Sequence, residues 1–191
     1  MPPHSIAFES GLSQSELRAA EERFSFKFPP DVRALLQYAL PSGSVPPKPG
    51  YLVGNGIGFP NWRNIDSVDL RSQVEWPIEG VLFDVREAGF WLESWGAKPS
   101  SLDEALACAS ARLDRAPKLI PLYGHRCICE APNAGGNPII SVYQTDIIYY
   151  GSDLSNWFSN EFFRKPTERY LSIGTVKVPF WSEIIEQVQC S

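Results

Sequence analysis

The sequence lacks several features that define whole classes of proteins. Its 191 residues include only two histidines and one methionine, and no stretch approaches the roughly 20 consecutive apolar residues of a membrane-spanning helix. The first residues, "MPPHSIAFESGLS", lack the basic stretch followed by an apolar stretch that marks a secretory signal. We therefore expect a cytoplasmic protein with no membrane association.

Cysteine is also scarce, with four residues at positions 108, 127, 129 and 190. Chains in the cytosol rarely keep disulfides, so we expect reduced thiols. Positive charge is limited as well, because the formal net charge is −5. Residues 61–115 hold ten Asp or Glu against six Lys or Arg, whereas residues 116–165 hold four of each. Phosphate-backbone binding requires clustered Lys and Arg, so this distribution argues against a nucleic-acid partner and suits a basic protein partner.

Apolar residues are plentiful enough for one hydrophobic core. Hydrophobic residues make up 43% of the chain and aromatic residues 13%, and a chain of this length normally forms one domain. We predict a single domain over residues 1–191. Within it, the segment 41–60 is rich in proline and glycine and is predicted to be a long, irregular and mobile loop. Residues 166–191 are predicted to be a C-terminal extension that contains an amphipathic helix after Pro179.

Two sequence signals predict helix starts. Ser13 with Glu16, and Ser101 with Glu104, each have the spacing of a capping box in front of an apolar stripe. The first predicted helix runs from about Gln14 to Arg23. A second helix follows over "PPDVRALLQYAL", since proline is tolerated in a first helical turn, and Asp153 or Ser152 can cap another helix over "LSNWFSNEFF".

Strands are predicted from runs of β-branched and aromatic residues. A short helix over "NWRNIDSVDLRSQ" is expected to precede two strands, "GVLFDV" and "GFWLESWG", joined by the turn "REAG". Two further antiparallel strands, "KLIPLYGHRCIC" and "NPIISVYQTDIIYYG", flank the turn-forming "EAPNAGGNP". The mixture predicts an α+β fold in which helices pack around an antiparallel sheet.

The segment "HRCIC" is the candidate for site chemistry. If it is one extended strand, His125, Cys127 and Cys129 share a face, because side chains alternate. Zinc sites favour cysteine pairs on a tight turn and need a fourth ligand that this segment does not supply, so we expect no metal and no cofactor. A thiol nucleophile with His125 would need an orienting group such as Asp146 or Asn137. This leaves a small cytosolic hydrolase or transferase as the alternative function.

The candidate partner-binding residues are acidic or aromatic. Trp91 and Trp95 share a face if "FWLESWG" is a strand, which would make an aromatic platform. The acidic middle of the chain adds charge that would attract a basic partner, and at least one tryptophan is expected to belong to the core. The full set of predicted partner-binding residues is Trp62, Asp66, Asp69, Trp91, Trp95, Tyr149 and Tyr150.

These segments resemble the SMI1/KNR4 (SUKH) superfamily. The stretch "LSQSELRAAEERFSFKFPPDVRALL" is similar to its first two helices, with Glu21 and Asp31 at matching places. The later "LIPLYGHRC" and "VYQTDIIYYGSDLSNWF" are similar to its "IPIG" strand and its strand-then-helix ending, so the resemblance covers about residues 11–165. It implies an α+β binding module, and for bacterial members an immunity protein that neutralises a polymorphic toxin. We therefore expect a non-enzymatic protein whose partner is a basic toxin domain.

Overall fold

The fold is α+β, as the sequence predicts. It is described by a computed structural model that covers residues 6–43, 58–163 and 176–189. No helix in these ranges is long and apolar enough to cross a membrane. The elements are β1 Ala7–Ser10, α1 Gln14–Phe24, α2 Pro30–Tyr38, β2 Ala39–Ser42, α3 Val68–Glu87, α4 Leu102–Leu113, β3 Leu119–Tyr123, β4 Arg126–Cys129, β5 Ile139–Tyr143, β6 Asp146–Gly151, α5 Leu154–Phe162 and α6 Trp181–Gln189.

The main sheet is an antiparallel meander in which the strands follow the chain order, β3-β4-β5-β6. Each of the two long strands predicted from the sequence is in fact a hairpin. One turns at Gly124 and His125, where Gly124 has a φ of 54°, and the other turns at Gln144 and Thr145. His125 therefore lies outside the strand that carries Cys127.

Both faces of the sheet are covered, and each faces its own hydrophobic core. Strand β4 shows the alternation: Cys127 and Cys129 belong to one core, and Ile128 belongs to the other. The first core also receives buried residues of α3, α4 and α6, and the second receives those of α1, α2 and α5. Helices on two faces of one sheet explain how a short meander can organise a chain of this size.

A second sheet pairs β1 with β2 in antiparallel register. The sequence analysis predicted neither strand; it placed the start of β2 in the second predicted helix and the end of β2 in the predicted loop at 41–60. Residues 44–57 of that loop lie outside the described residues, so its predicted mobility stays a prediction. At the base of this sheet the chain approaches α2 closely, because a Cβ added at Gly11 would lie 1.9 Å from the carbonyl oxygen of Gln37.

The helix-capping predictions have different outcomes. The capping box of α1 is confirmed, since Glu16 N–H donates to Ser13 Oγ and Ser13 N–H donates to Glu16 Oε2. Asp153 caps α5 by accepting from the N–H of Asn156 at 2.8 Å. Ser101 precedes α4 as predicted, but among the described residues its side chain makes no capping hydrogen bond. The predicted C-terminal helix is present as α6.

The two strands predicted over residues 80–96 are wrong. "GVLFDV" belongs to α3, a helix of 20 residues that continues through Pro77. Its buried residues Leu70, Pro77, Val81 and Val85 lie at helical spacing, which outweighs the local β propensity. "GFWLESWG" is an irregular segment with a single 3-10 turn at Glu93–Trp95.

Candidate protein-binding groove

An apolar groove opens on the surface between α2, α5 and β1. Its volume is about 780 Å³. Apolar and aromatic side chains dominate its lining, and two carboxylates lie among them. We call it the α2–α5 groove and define it by the residues Phe8, Asp31, Leu35, Tyr38, Ala39, Gly136, Asp153, Leu154, Ser155, Phe158 and Ser159.

Helix α2 supplies one wall because it has two apolar faces. Val32 and Leu36 are buried in the core beneath it. Leu35 and Tyr38 lie three residues apart, so they share a different face of the helix. Tyr38 is 88% exposed, so a large aromatic side chain of the groove lining is almost entirely accessible to solvent.

Helix α5 and strand β1 supply the opposite wall. Trp157 anchors α5 in the core with 1% exposure, while Leu154 and Phe158, four residues apart, line the groove. Phe8 extends from β1 with its ring centroid 6.4 Å from that of Phe158, and it is 53% exposed. A contiguous surface of this composition is typical of a site that another molecule covers.

The two carboxylates of the groove are held by neutral donors. Asp31 Oδ2 accepts from the backbone N–H of Gly136 at 2.9 Å, and Oδ1 accepts from the N–H of Val32 at 2.9 Å. Asp153 accepts from the N–H of Asn156 and from the hydroxyl of Ser152. Both side chains are half-buried and fixed in place. Within residues 6–43, 58–163 and 176–189, neither has a Lys, Arg or His partner within ion-pair distance.

Two of the predicted tryptophan anchors are core residues. Trp62 is 2% exposed and meets Phe28 edge-on, with ring centroids 5.1 Å apart. Trp95 is 7% exposed and packs edge-on against Trp91 at 5.1 Å. Their prediction as surface anchors is corrected by this burial. The expectation that at least one predicted tryptophan lies in the core is confirmed.

Trp91 and Tyr149 are half-buried around α6. Trp91 donates from Nε1 to the carbonyl of Gly96 at 2.8 Å, and its own carbonyl accepts from Gln187 of α6 at 3.0 Å. Tyr149 shares a hydrogen bond of 2.7 Å with the hydroxyl of Ser182. These contacts attach Trp91 and Tyr149 to the C-terminal helix. The predicted aromatic platform of Trp91 and Trp95 is wrong, because the segment that carries them is not a strand and Trp95 is buried.

The other predicted site residues lie in separate places. Tyr150 is half-buried on the opposite side of the sheet from Tyr149. Asp66 is exposed and forms an ion pair with Arg23 at 3.4 Å, and Asp69 is exposed in the first turn of α3. The structure therefore does not gather the seven residues into one surface. Whether the exposed acidic residues bind a partner stays a prediction.

The "HRCIC" segment does not place its three side chains together. His125 lies in the exposed turn, and the two thiols point into the core. Burial raises the pKa of Cys127 to about 12 and that of Cys129 to about 11, so both are neutral thiols and poor nucleophiles near neutral pH. Within the part of the chain that the structure describes, no group of three or more His, Cys, Asp or Glu residues could hold a metal ion.

The proposed orienting groups have other positions. The buried side-chain amide of Asn137 donates to the carbonyls of Cys129 and Pro132, at 3.1 and 2.8 Å, and so closes the loop between β4 and β5. Asp146 is exposed at the start of β6, opposite Tyr143. The enzymatic alternative gains no support from this geometry, and the absence of catalysis and of bound metal stays a prediction.

The groove was missed because the sequence analysis did not consider that α2 and α5 could each carry a second apolar face. The signal that could have found it is a second apolar pair on each helix, Leu35 with Tyr38 on α2 and Leu154 with Phe158 on α5. Phe8 could not have been found this way, since β1 was not predicted.

No protein family, curated protein or solved structure matches this chain.

Proposed function

We propose that this protein is a non-enzymatic protein-binding module that binds its partner in the α2–α5 groove. The observation that supports this most is the exposure of Phe8 and Tyr38, 53% and 88%, beside the half-buried Phe158. Large aromatic side chains are favoured anchors at protein interfaces because they bury much area at low entropic cost. An apolar surface left open in this way favours binding over a purely structural role.

We further propose that the module acts as an immunity protein of the SUKH type, which neutralises a toxin by direct binding. The net charge of −5 supports a basic partner, since complementary charge accelerates encounter and suppresses wrong partners. A toxin that attacks nucleic acid would carry such charge. The resemblance of α1 and α2 to the first helices of that superfamily supports the same proposal.

Site-specific photo-crosslinking in cells of the source organism tests the groove. A photoreactive phenylalanine analogue replaces Tyr38 in one variant and Leu102 in the control. Leu102 is also apolar and 48% exposed, but it lies in the first turn of α4, outside the groove. We expect one protein to be crosslinked at Tyr38 and not at Leu102.

The captured protein is then identified, purified and assayed for toxicity. We expect its expression to arrest growth, co-expression of this chain to restore growth, and Tyr38→Glu to abolish the rescue while circular dichroism stays unchanged. Equal crosslinking at both positions, or a captured protein whose toxicity this chain does not reduce, would contradict the proposal.

Association kinetics with the purified captured protein, measured at several salt concentrations, test the acidic surface predicted from the sequence. Asp66→Lys and Asp69→Lys reverse two exposed charges without touching the groove. If these residues steer the partner, both variants should weaken binding mainly through a slower association rate, and the effect should fade as salt rises. An unchanged association rate would mean that Asp66 and Asp69 do not steer the partner and that the groove alone accounts for binding.

A further inference from the structure

We infer that the occupant of the α2–α5 groove is a short apolar peptide segment of the partner that carries at least one Lys or Arg. This inference rests on the proposed function and specifies the chemistry of its partner. The structural basis is the joint presence, in one open groove, of exposed aromatic side chains and of Asp31 and Asp153.

The charge of the segment follows from the two carboxylates. Among the described residues no cation compensates Asp31 or Asp153, and the groove lining contains no Lys, Arg or His. An apolar segment that covered them would remove water from both carboxylates, which is unfavourable without a compensating charge. A cationic side chain on the incoming segment supplies that charge, and charge-assisted hydrogen bonds are roughly twice as strong as neutral ones.

The shape of the groove favours a peptide over a small molecule. Small ligands are normally buried over most of their surface in concave pockets. Here Tyr38 and Phe8 project into water, so a small ligand would leave them largely exposed. A segment that continues past the ends of the groove covers them, and helices α2 and α5 supply two apolar walls against which its side chains can pack.

Charge also argues against a second copy of this chain as the occupant. Each copy carries a net charge of −5, and like charges brought together in an apolar contact are unfavourable. The groove therefore fits a foreign basic segment better than a surface of the same protein.

The inference is tested by panning a phage-displayed library of random 12-residue peptides against the full chain. The enriched peptides are synthesised with fluorescein and titrated by fluorescence anisotropy. We expect apolar peptides with one or more Lys or Arg. Asp31→Asn and Asp153→Asn should each weaken binding about tenfold, as expected for loss of one charge-assisted contact. The matched control Asp103→Asn neutralises an exposed carboxylate in the first turn of α4, outside the groove, and should leave affinity unchanged.

Each other outcome overturns the inference. Enriched peptides that lack basic residues, affinity that is insensitive to Asp31→Asn and Asp153→Asn, or no enrichment at all would exclude the basic segment. Self-association in analytical ultracentrifugation that Tyr38→Glu abolishes would make a second copy the occupant. A tenfold gain in peptide affinity after Arg164, Lys165 and Arg169 are changed to Ser would show that the basic segment 164–169 of this chain competes for the groove and is its occupant.

These failures are distinguishable from failure of the proposed function. If crosslinking at Tyr38 still captures a neutralised toxin while the peptides carry no basic residue, the binding module stands and the inferred chemistry of its partner is wrong. If the peptides behave as expected but no toxic partner is captured, the groove binds basic segments and the immunity role is wrong.

Discussion

The guanidinium carbon of Arg126 lies 3.5 Å from the centroid of the Tyr150 ring. The same guanidinium forms an ion pair with Glu161 of α5 at 3.2 Å and donates to Ser141 of β5 at 2.9 Å. Arg126 and Glu161 are only 13% and 14% exposed. One cationic side chain therefore connects two strands and the helix that covers them.

We predict that Arg126→Ala lowers the free energy of unfolding by about 3 kcal/mol, because it leaves the mostly buried Glu161 without its cation. The control Arg71→Ala removes an exposed arginine that makes no ion pair among the described residues, and it should cost less than about 0.5 kcal/mol. Urea denaturation followed by tryptophan fluorescence measures both. Equal effects would show that the ion pair adds nothing to stability.

Tyr150 gives a prediction at high pH. Burial raises its pKa from 10.0 to about 12, so the folded state retains the phenol proton longer than the unfolded state does. Its contribution to stability is complete below pH 10 and is lost as pH rises from 10 to 12. Unfolding free energies of the wild type and Tyr150→Phe, measured across this range, should show the wild type losing stability relative to the variant. A constant difference would contradict the shift.

A buried carboxylate joins α1 to the start of α2. Glu21 is 5% exposed, pairs with Arg33 at 2.7 Å and accepts from the N–H of Phe28. Glu21→Ala should cost about 3 kcal/mol, since it leaves these donors unsatisfied. Its neighbour Glu22 is exposed and has no ion pair among the described residues, so Glu22→Ala should change stability by less than about 0.5 kcal/mol. Thermal unfolding of both variants provides the comparison.

The two serines with capping-box spacing form a matched pair. Ser13→Ala should lower the free energy of unfolding by about 1 kcal/mol, whereas Ser101→Ala should be close to neutral, because only Ser13 makes the capping hydrogen bond.

The hydrogen bonds from Ser13, with Arg63 nearby, lower the pKa of Glu16 to about 2. The contribution of ionised Glu16 to the stability of the fold is therefore present above pH 4.5 and is lost as pH falls towards 2. An NMR titration in which Ser13→Ala leaves the Glu16 pKa unchanged would contradict this account.

The cysteines should differ sharply in reactivity. Cys127 and Cys129 are buried and free, and Cys108 is exposed and free. In a Cys190→Ser background we expect one thiol per chain to react rapidly with a disulfide reagent at neutral pH, and the other two to react only on unfolding. Rapid modification of three thiols in the folded protein would revive the nucleophilic alternative.

Local signals explain which parts of the fold could be predicted. The capping box of α1, the cap of α5 and the alternation in β4 depend on residues a few positions apart, so the sequence alone reveals them. The conformation of "GFWLESWG" depends on distant residues instead. The N–H of Glu93 donates to Gln187 at 2.8 Å, and Ser94 donates to Glu183 at 2.6 Å. No local sequence pattern predicts these contacts with α6, which lies about 90 residues further along the chain.

Helix α3 shows a different reason for failure. Pro77 and Gly80 both reduce helix propensity, and "GVLFDV" has the β-branched and aromatic residues of a strand. Tertiary contacts override these preferences. A Cβ at Gly80 would lie 2.9 Å from the Cα of Gln144, and Asp84 accepts from the N–H of Thr145 at 2.9 Å. The glycine that weakens the helix locally is what allows it to approach the β5–β6 turn.

The order of the meander within the chain has a consequence for synthesis on the ribosome. Helices α1 to α4 all precede the sheet, whose four strands come from residues 119–151. Until those strands emerge, the apolar stripes of these helices have no sheet to cover, and exposed stripes favour aggregation. We therefore expect nascent chains arrested before residue 119 to be degraded or bound by chaperones. Protection from proteolysis should rise steeply once residue 151 has left the exit tunnel.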